Sequence, residues 1–133
     1  FGHVIGDGYT VAGNLLTGED VIAETAAAYE TDRDGDAPLA ERLIDALEAG
    51  HDAGGDKRTE LRVQSAALAV ETTEDEDAAP YWRDLRVDAT ETPITDLRET
   101  FELARDSYET ALAKYEAEQE DEGERDESGD GDE

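Results

Sequence analysis

The chain has 133 residues, the size of one ordinary domain, and sets 38 Asp and Glu against 11 Lys and Arg, for a formal net charge of −27. No basic face is available to displace counterions from phosphates, which argues against nucleic acid as a partner, and no apolar run approaches the roughly 18 residues of a membrane span. There is no cysteine, which rules out disulfides, thiolate nucleophiles and cysteine metal sites.

Residues 3–16, HVIGDGYTVAGNLL, mix β-formers with glycine punctuation. "GDG" predicts a turn, and Tyr9, Thr10 and Val11 a short strand leading to Gly13 and Asn14. Thr17 is the expected N-cap of the next element, with Asp20 three positions on in a capping-box-like arrangement. The helix beyond it sets Val21, Ile22, Thr25 and Tyr29 on one side. "ETDRDGDAP" ends it in a polar loop.

Pro38 suits the first position of a second helix, in which Leu39, Leu43 and Leu47 recur at i, i+4 and i+8 with Ala40 and Ile44 beside them. Gly50 is its expected C-cap. A glycine-rich loop then leads to a strand expected over Leu61–Val70. Its small residues, Gln64, Ser65 and the alanines, predict close cover on both faces. "TTEDEDAAP" is an acidic hairpin-like connection, and "YWRDLRVD", residues 81–88, alternates as a further strand.

Thr92 and Pro93 start the longest helix, where Ile94, Leu97, Phe101, Ala104, Tyr108, Ala111 and Tyr115 keep a 3-4-3-4-3-4 spacing. This narrow seam is expected to dock inside the domain or across a homo-oligomer. From Gln119 the pattern stops: the last stretch, QEDEGERDESGDGDE, holds nine acids and one Arg and is expected to be a disordered tail. The division is therefore residues 1–118 as domain and 119–133 as tail. Helices and strands are grouped rather than alternating, which gives an α+β class with helices on a mainly antiparallel sheet.

The acidic surface has its own implication. At about 1 M salt the screening length falls to roughly 3 Å, so repulsion that opens such a fold in dilute buffer is quenched. A carboxylate-rich, lysine-poor chain fits a halophilic source and a salt-filled cytoplasm. The rival account is an acidic face that attracts a basic partner.

Against this background three bases, Lys57, Arg58 and Arg62, fall within six positions, directly after Gly54 and Gly55. A Gly-Gly turn exposes backbone N–H groups, and with Lys57 and Arg58 it offers a site for a carboxylate or phosphate of a small anionic metabolite. Gln64 and Ser65 are placed to add directional hydrogen bonds. The bland alternative is that Asp52, Asp56, Glu60 or acidic loops pair with these bases and quiet local repulsion. The segment is not a P-loop, which needs Gly-Lys-Ser/Thr at fixed spacing. Asp7, Gly13 and Asn14 form a second cluster, where the Asn14 amide has the chemistry to steady an oxyanion.

Other arrangements are weaker. Ser65 lies mid-strand without a G-x-S-x-G elbow, so a serine triad with His51 has little support. His3 and His51 match no metal-ligand spacing with a carboxylate, and no cofactor is expected.

The segments "GDGYTVAGNLL", "LAERLIDALEAGHDAGGDKR", "QSAAL", "DLRVD" and "PITDLRETFEL" resemble, in this order, the C-terminal half of a family catalogued as domain of unknown function 1028, of the Ntn-hydrolase-like superfamily. The resemblance spans roughly residues 2–105, with "AGGDKR" followed by "QSAAL" its most specific part. It implies a partial αββα sandwich and amide hydrolysis on a small anionic substrate, and it strengthens Gly54, Gly55, Asp56, Lys57, Arg58, Gln64, Ser65 and Asn14 as substrate-binding residues. Such hydrolases use the side chain at their processed N-terminus as nucleophile. Phe1 has none, so the expectation is a fragment whose nucleophile lies upstream. The alternatives are a non-catalytic anion-binding module and a self-associating structural domain.

Overall fold

The computed structural model describes residues 1–74 and 80–129, so part of the acidic connection before Pro80 and the last four residues lie outside the described residues. Strands β1 (Gly2–Gly6) and β2 (Tyr9–Gly13) form one antiparallel hairpin, and β3 (Gln64–Ala69) and β4 (Asp84–Thr90) form another. Helices α1 (Glu19–Asp32) and α2 (Leu39–Asp52) come between the hairpins, and α3 (Pro93–Gly129) follows them. The class is α+β, with two small antiparallel sheets and a long C-terminal helix.

The first hairpin turns at Asp7 and Gly8, and only Gly8 takes a left-handed φ, of 79°. Its register pairs Gly6 with Tyr9 and Gly2 with Gly13, which makes a full strand of Gly2–Gly6. Tyr9 anchors the hairpin to α1: its ring lies 5.0 Å from that of Tyr29, and its hydroxyl donates to the Glu30 carboxylate. Accepting that bond, Glu30 raises the Tyr9 pKa.

The start of α1 differs from expectation. Gly18 occupies the N-cap and no side chain caps the helix, so Thr17 does not fill that role. Thr17 is instead drawn outward, its N–H donating to the Gly55 carbonyl at 3.0 Å. Along α1, Val21, Ile22 and Ala26 are buried, while Thr25 and Tyr29 are half-buried beside them.

Gly50 does not end α2. The helix continues to Asp52, and Gly50 is buried at the crossing with α1, where a Cβ would stand 2.2 Å from the Thr25 Oγ1. The glycine is there for close approach. Termination falls to Gly54 and Gly55, with φ of 131° and 57°; the Gly55 N–H returns to the Gly50 carbonyl at 3.2 Å.

The core centres on Ala40, Ile44, Leu68, Leu85, Leu97 and Phe101. Trp82, in the short 3-10 turn before β4, meets Phe101 edge-on at 5.8 Å. Burying Leu97 and Phe101 contributes about 1.5–3 kcal/mol each. Arg98 reaches from α3 to Asp45 at 2.8 Å and Glu48 at 3.0 Å, tying α3 to α2.

The face that α2 buries is only partly the one its leucines suggest. Ala40 and Ile44 are fully buried, whereas Leu39 and Leu47 are 36% and 38% exposed. β3 is likewise covered on one face only, contrary to the expectation of cover on both. Ala66 and Leu68 turn toward the helices, while Ser65, Ala67 and Ala69 are exposed.

The seam of α3 is used in its first half. Leu97 and Phe101 are buried, but Ala111 and Tyr115 are exposed. The helix also runs past residue 118, where disorder was expected to begin, and continues to Gly129. The stretch is rich in Glu, which propagates a helix without tertiary contacts, and its described side chains are exposed.

Candidate functional site

Two loops meet at the candidate site. After β2 the chain turns through Asn14, Leu15 and Leu16, with Leu15 in the left-handed region at φ 55°. After α2 it turns through Gly54–Arg58. The Lys57 N–H donates to the Leu15 carbonyl at 2.8 Å, the Thr17 N–H to the Gly55 carbonyl at 3.0 Å, and Leu16 bridges Asp56 in antiparallel sense. The Gly-Gly turn makes this possible, because its conformation is one that L side chains rarely adopt and a Cβ on Gly54 would stand 2.1 Å from the Thr17 Oγ1.

The three clustered bases have different fates. Arg58 turns back on Asp56, its Nε at 2.9 Å from Oδ1 and its Nη2 at 2.5 Å from Oδ2, while its own N–H donates to Oδ1 at 2.8 Å. These bonds from Arg58 hold the Asp56 carboxyl down at a pKa of about 2. Arg62 reaches Glu91 at 3.0 Å. Lys57 is exposed and makes no ion pair among the described residues. Two of the bases balance charge, and the third, Lys57, pairs with no carboxylate among the described residues.

Lys57 and Asn14 line one pocket of about 220 Å³, together with Gly13, Gly18 and Glu19. Gly18 and Glu19 open α1, so the helix presents its first, uncapped N–H groups to this space. A lysine ammonium, an asparagine amide and a helix N-terminus suit a small anion; the Glu19 carboxylate opposes it and restricts where its charge can sit.

The remaining candidate residues lie elsewhere. Gly55, Asp56 and Gln64 line a second cavity of about 240 Å³ beyond the Leu16–Asp56 bridge, beside His51 and Leu47. Ser65 faces the exposed side of β3 and hydrogen-bonds the Asp88 carboxylate. Arg86 and then Ser65 lower the Asp88 pKa through these bonds. The cluster of Asp7 with Gly13 and Asn14 is also divided: the hairpin register puts Asp7 at the turn and Gly13 at the open end, about 17 Å apart along the strand. Leu15 is the residue that sequence reasoning passed over. Nothing in an apolar Leu-Leu pair marks a left-handed backbone.

The model of a protein family described as a family of unknown function (DUF1028) matches residues 1–97. The match includes Asn14 and the whole Gly54–Ser65 segment, and the chain belongs to this family. No curated protein and no solved structure matches.

Proposed function

We propose that the Asn14–Lys57 pocket is the anion-binding subsite of an Ntn-type amide hydrolase, and that the nucleophile comes from a segment outside residues 1–133. The observation that carries the binding half of this reading is that Lys57, with no ion pair among the described residues, lines the same pocket as Asn14 at the uncapped start of α1. In this role Lys57 holds the substrate's negative group and Asn14 orients its carbonyl. The catalytic half rests on the superfamily to which the residue pattern is similar. With the pocket alone and no nucleophile, the same residues act as a non-catalytic anion-binding module.

The test is a titration of the chain with N-acetylglycine, a small anionic amide, in concentrated salt. Lys57→Ala is expected to weaken binding at least tenfold, while Arg58→Ala, whose side chain is committed to Asp56, changes it little. A tenfold loss corresponds to about 1.4 kcal/mol. Equal affinity in the wild type and Lys57→Ala ends the assignment of the pocket. Hydrolysis of the amide by residues 1–133 alone ends the assignment of the nucleophile to another segment.

A further inference from the structure

The leucines of α2 that the core leaves uncovered roof an apolar groove. Its larger part is a cavity of about 540 Å³ lined by Val11, Leu39, Leu43, Leu47 and Leu68. The cavity of about 240 Å³ continues it past Val11, Ala12 and Leu47 toward Gln64. β2 forms one wall and β3 the other.

Both walls are open strand edges. In β1–β2 the tight turn closes on the Gly6–Tyr9 pair, so hydrogen-bonded pairs recur at Val4–Val11 and Gly2–Gly13. The backbone groups of Thr10 and Ala12 therefore point away from β1. In β3–β4 the Val70 N–H donates to the Arg83 carbonyl at 2.7 Å, which sets hydrogen-bonded pairs at Leu68–Leu85 and Ala66–Val87. The backbone groups of Ala67 and Ala69 point away from β4. Among the described residues neither edge has a partner strand. Residues Tyr9–Gly13 span about 17 Å, and the leucine row of α2 runs about 12 Å along the same groove.

We propose that this groove takes an extended polypeptide segment of about five residues as an added strand, pairing with β2 and β3 and turning apolar alternate side chains onto Leu39, Leu43 and Leu47. The occupant is a strand from outside residues 1–133 and not a second copy of the chain. The alternating segments Gly2–Gly6, Tyr9–Gly13, Gln64–Ala69 and Asp84–Thr90 are already paired within the fold. The leucines and strand edges of the groove are not part of the anion pocket, which shares only Gly13, Leu16 and Ile22 with the smaller cavity, so either assignment survives failure of the other.

The experiment is native-state hydrogen exchange of the chain in concentrated salt, with and without a synthetic peptide of alternating valine and threonine ending in lysines. At about 1 mM peptide the amides of Thr10, Ala12, Ala67 and Ala69 are expected to slow at least tenfold. The same peptide N-methylated on alternate amides is expected to leave them unchanged. Leu47→Asp, at a site 38% exposed, is expected to abolish the slowing while leaving exchange in α1 and α3 as in the wild type. No slowing at these four amides overturns the proposal, as does equal slowing by the N-methylated peptide. Protection that appears without peptide and grows with protein concentration assigns the groove to a second copy and also overturns it.

Discussion

Lys57 donates its backbone N–H to the carbonyl of Leu15 at 2.8 Å, and this bond joins the two loops that bring Lys57 and Asn14 to the lining of one pocket. The 54–58 loop is held to 14–17 by main-chain bonds, with Thr17 closing the far end. The proposed binding chemistry thus rests on a turn whose shape only glycine supplies.

Gly54→Ala is the direct test of that dependence. Its φ of 131° is strained for any L side chain, and the added methyl collides with Thr17. A loss of about 2–3 kcal/mol in unfolding free energy is expected. Chemical denaturation in concentrated salt measures it, and an unchanged midpoint contradicts the role given to the turn.

The Arg58–Asp56 contact makes a prediction in pH. The Asp56 carboxyl has its pKa lowered from 3.8 to about 2, chiefly by the hydrogen bonds from Arg58. A folded-state value below the unfolded one means the bond stabilises the fold above pH 3.8, and that this is lost as pH falls toward 2. Carboxyl-detected NMR is expected to place the Asp56 midpoint near 2, and Arg58→Ala to return it toward 3.8. Arg58 is exposed and Asp56 is only half-buried at the surface, so the contribution to global stability is small.

What the sequence discloses here follows from how local each signal is. Pro93 at the head of α3, the Asp7–Gly8 turn and the helical period of Leu97 and Phe101 are set by neighbouring residues, and the structure keeps all of them. Gly50 was misplaced because a buried glycine at a helix crossing and a C-terminal glycine look alike until Thr25 is in position. The basic cluster was legible as a cluster only. That Arg58 folds back on Asp56 while Lys57 lines the same pocket as Asn14 depends on the bridge between Leu16 and Asp56, residues 40 positions apart in the chain. Ser65 adjoins the site in sequence, but strand alternation sends it to the opposite face from Gln64.

The outer half of α3 bears on self-association. Leu112 and Tyr115 are 42% and 58% exposed and continue the line of Leu97 and Phe101. Sedimentation in concentrated salt is expected to show a mass that rises with concentration, and Tyr115→Glu to keep the chain monomeric. A monomer at every concentration removes this role from the helix.

Salt itself is a variable with a predicted sign. With a formal charge of −27, the folded chain is expected to gain thermal stability as salt rises from about 0.1 M to 1 M, where the screening length shrinks from roughly 10 Å to 3 Å. A melting temperature independent of potassium chloride contradicts the account of the acidic surface as an adaptation to salt.

Ala89 offers the opposite experiment, a substitution that should stabilise. It sits at a bulge, where the register steps from Gln64–Thr90 to Ala66–Val87 and leaves Asp88 and Ala89 facing the single residue Ser65. Its φ of 53° places a Cβ where L residues lose about 1–2 kcal/mol, a cost that glycine does not carry. Glycine gives back part of this through the greater freedom of its unfolded chain, about 0.5–1 kcal/mol. The net expectation for Ala89→Gly is a gain of about 0.5–1 kcal/mol, measured by denaturation beside the wild type. A loss instead would mean that the methyl of Ala89 packs against something the exposed face of β4 does not show.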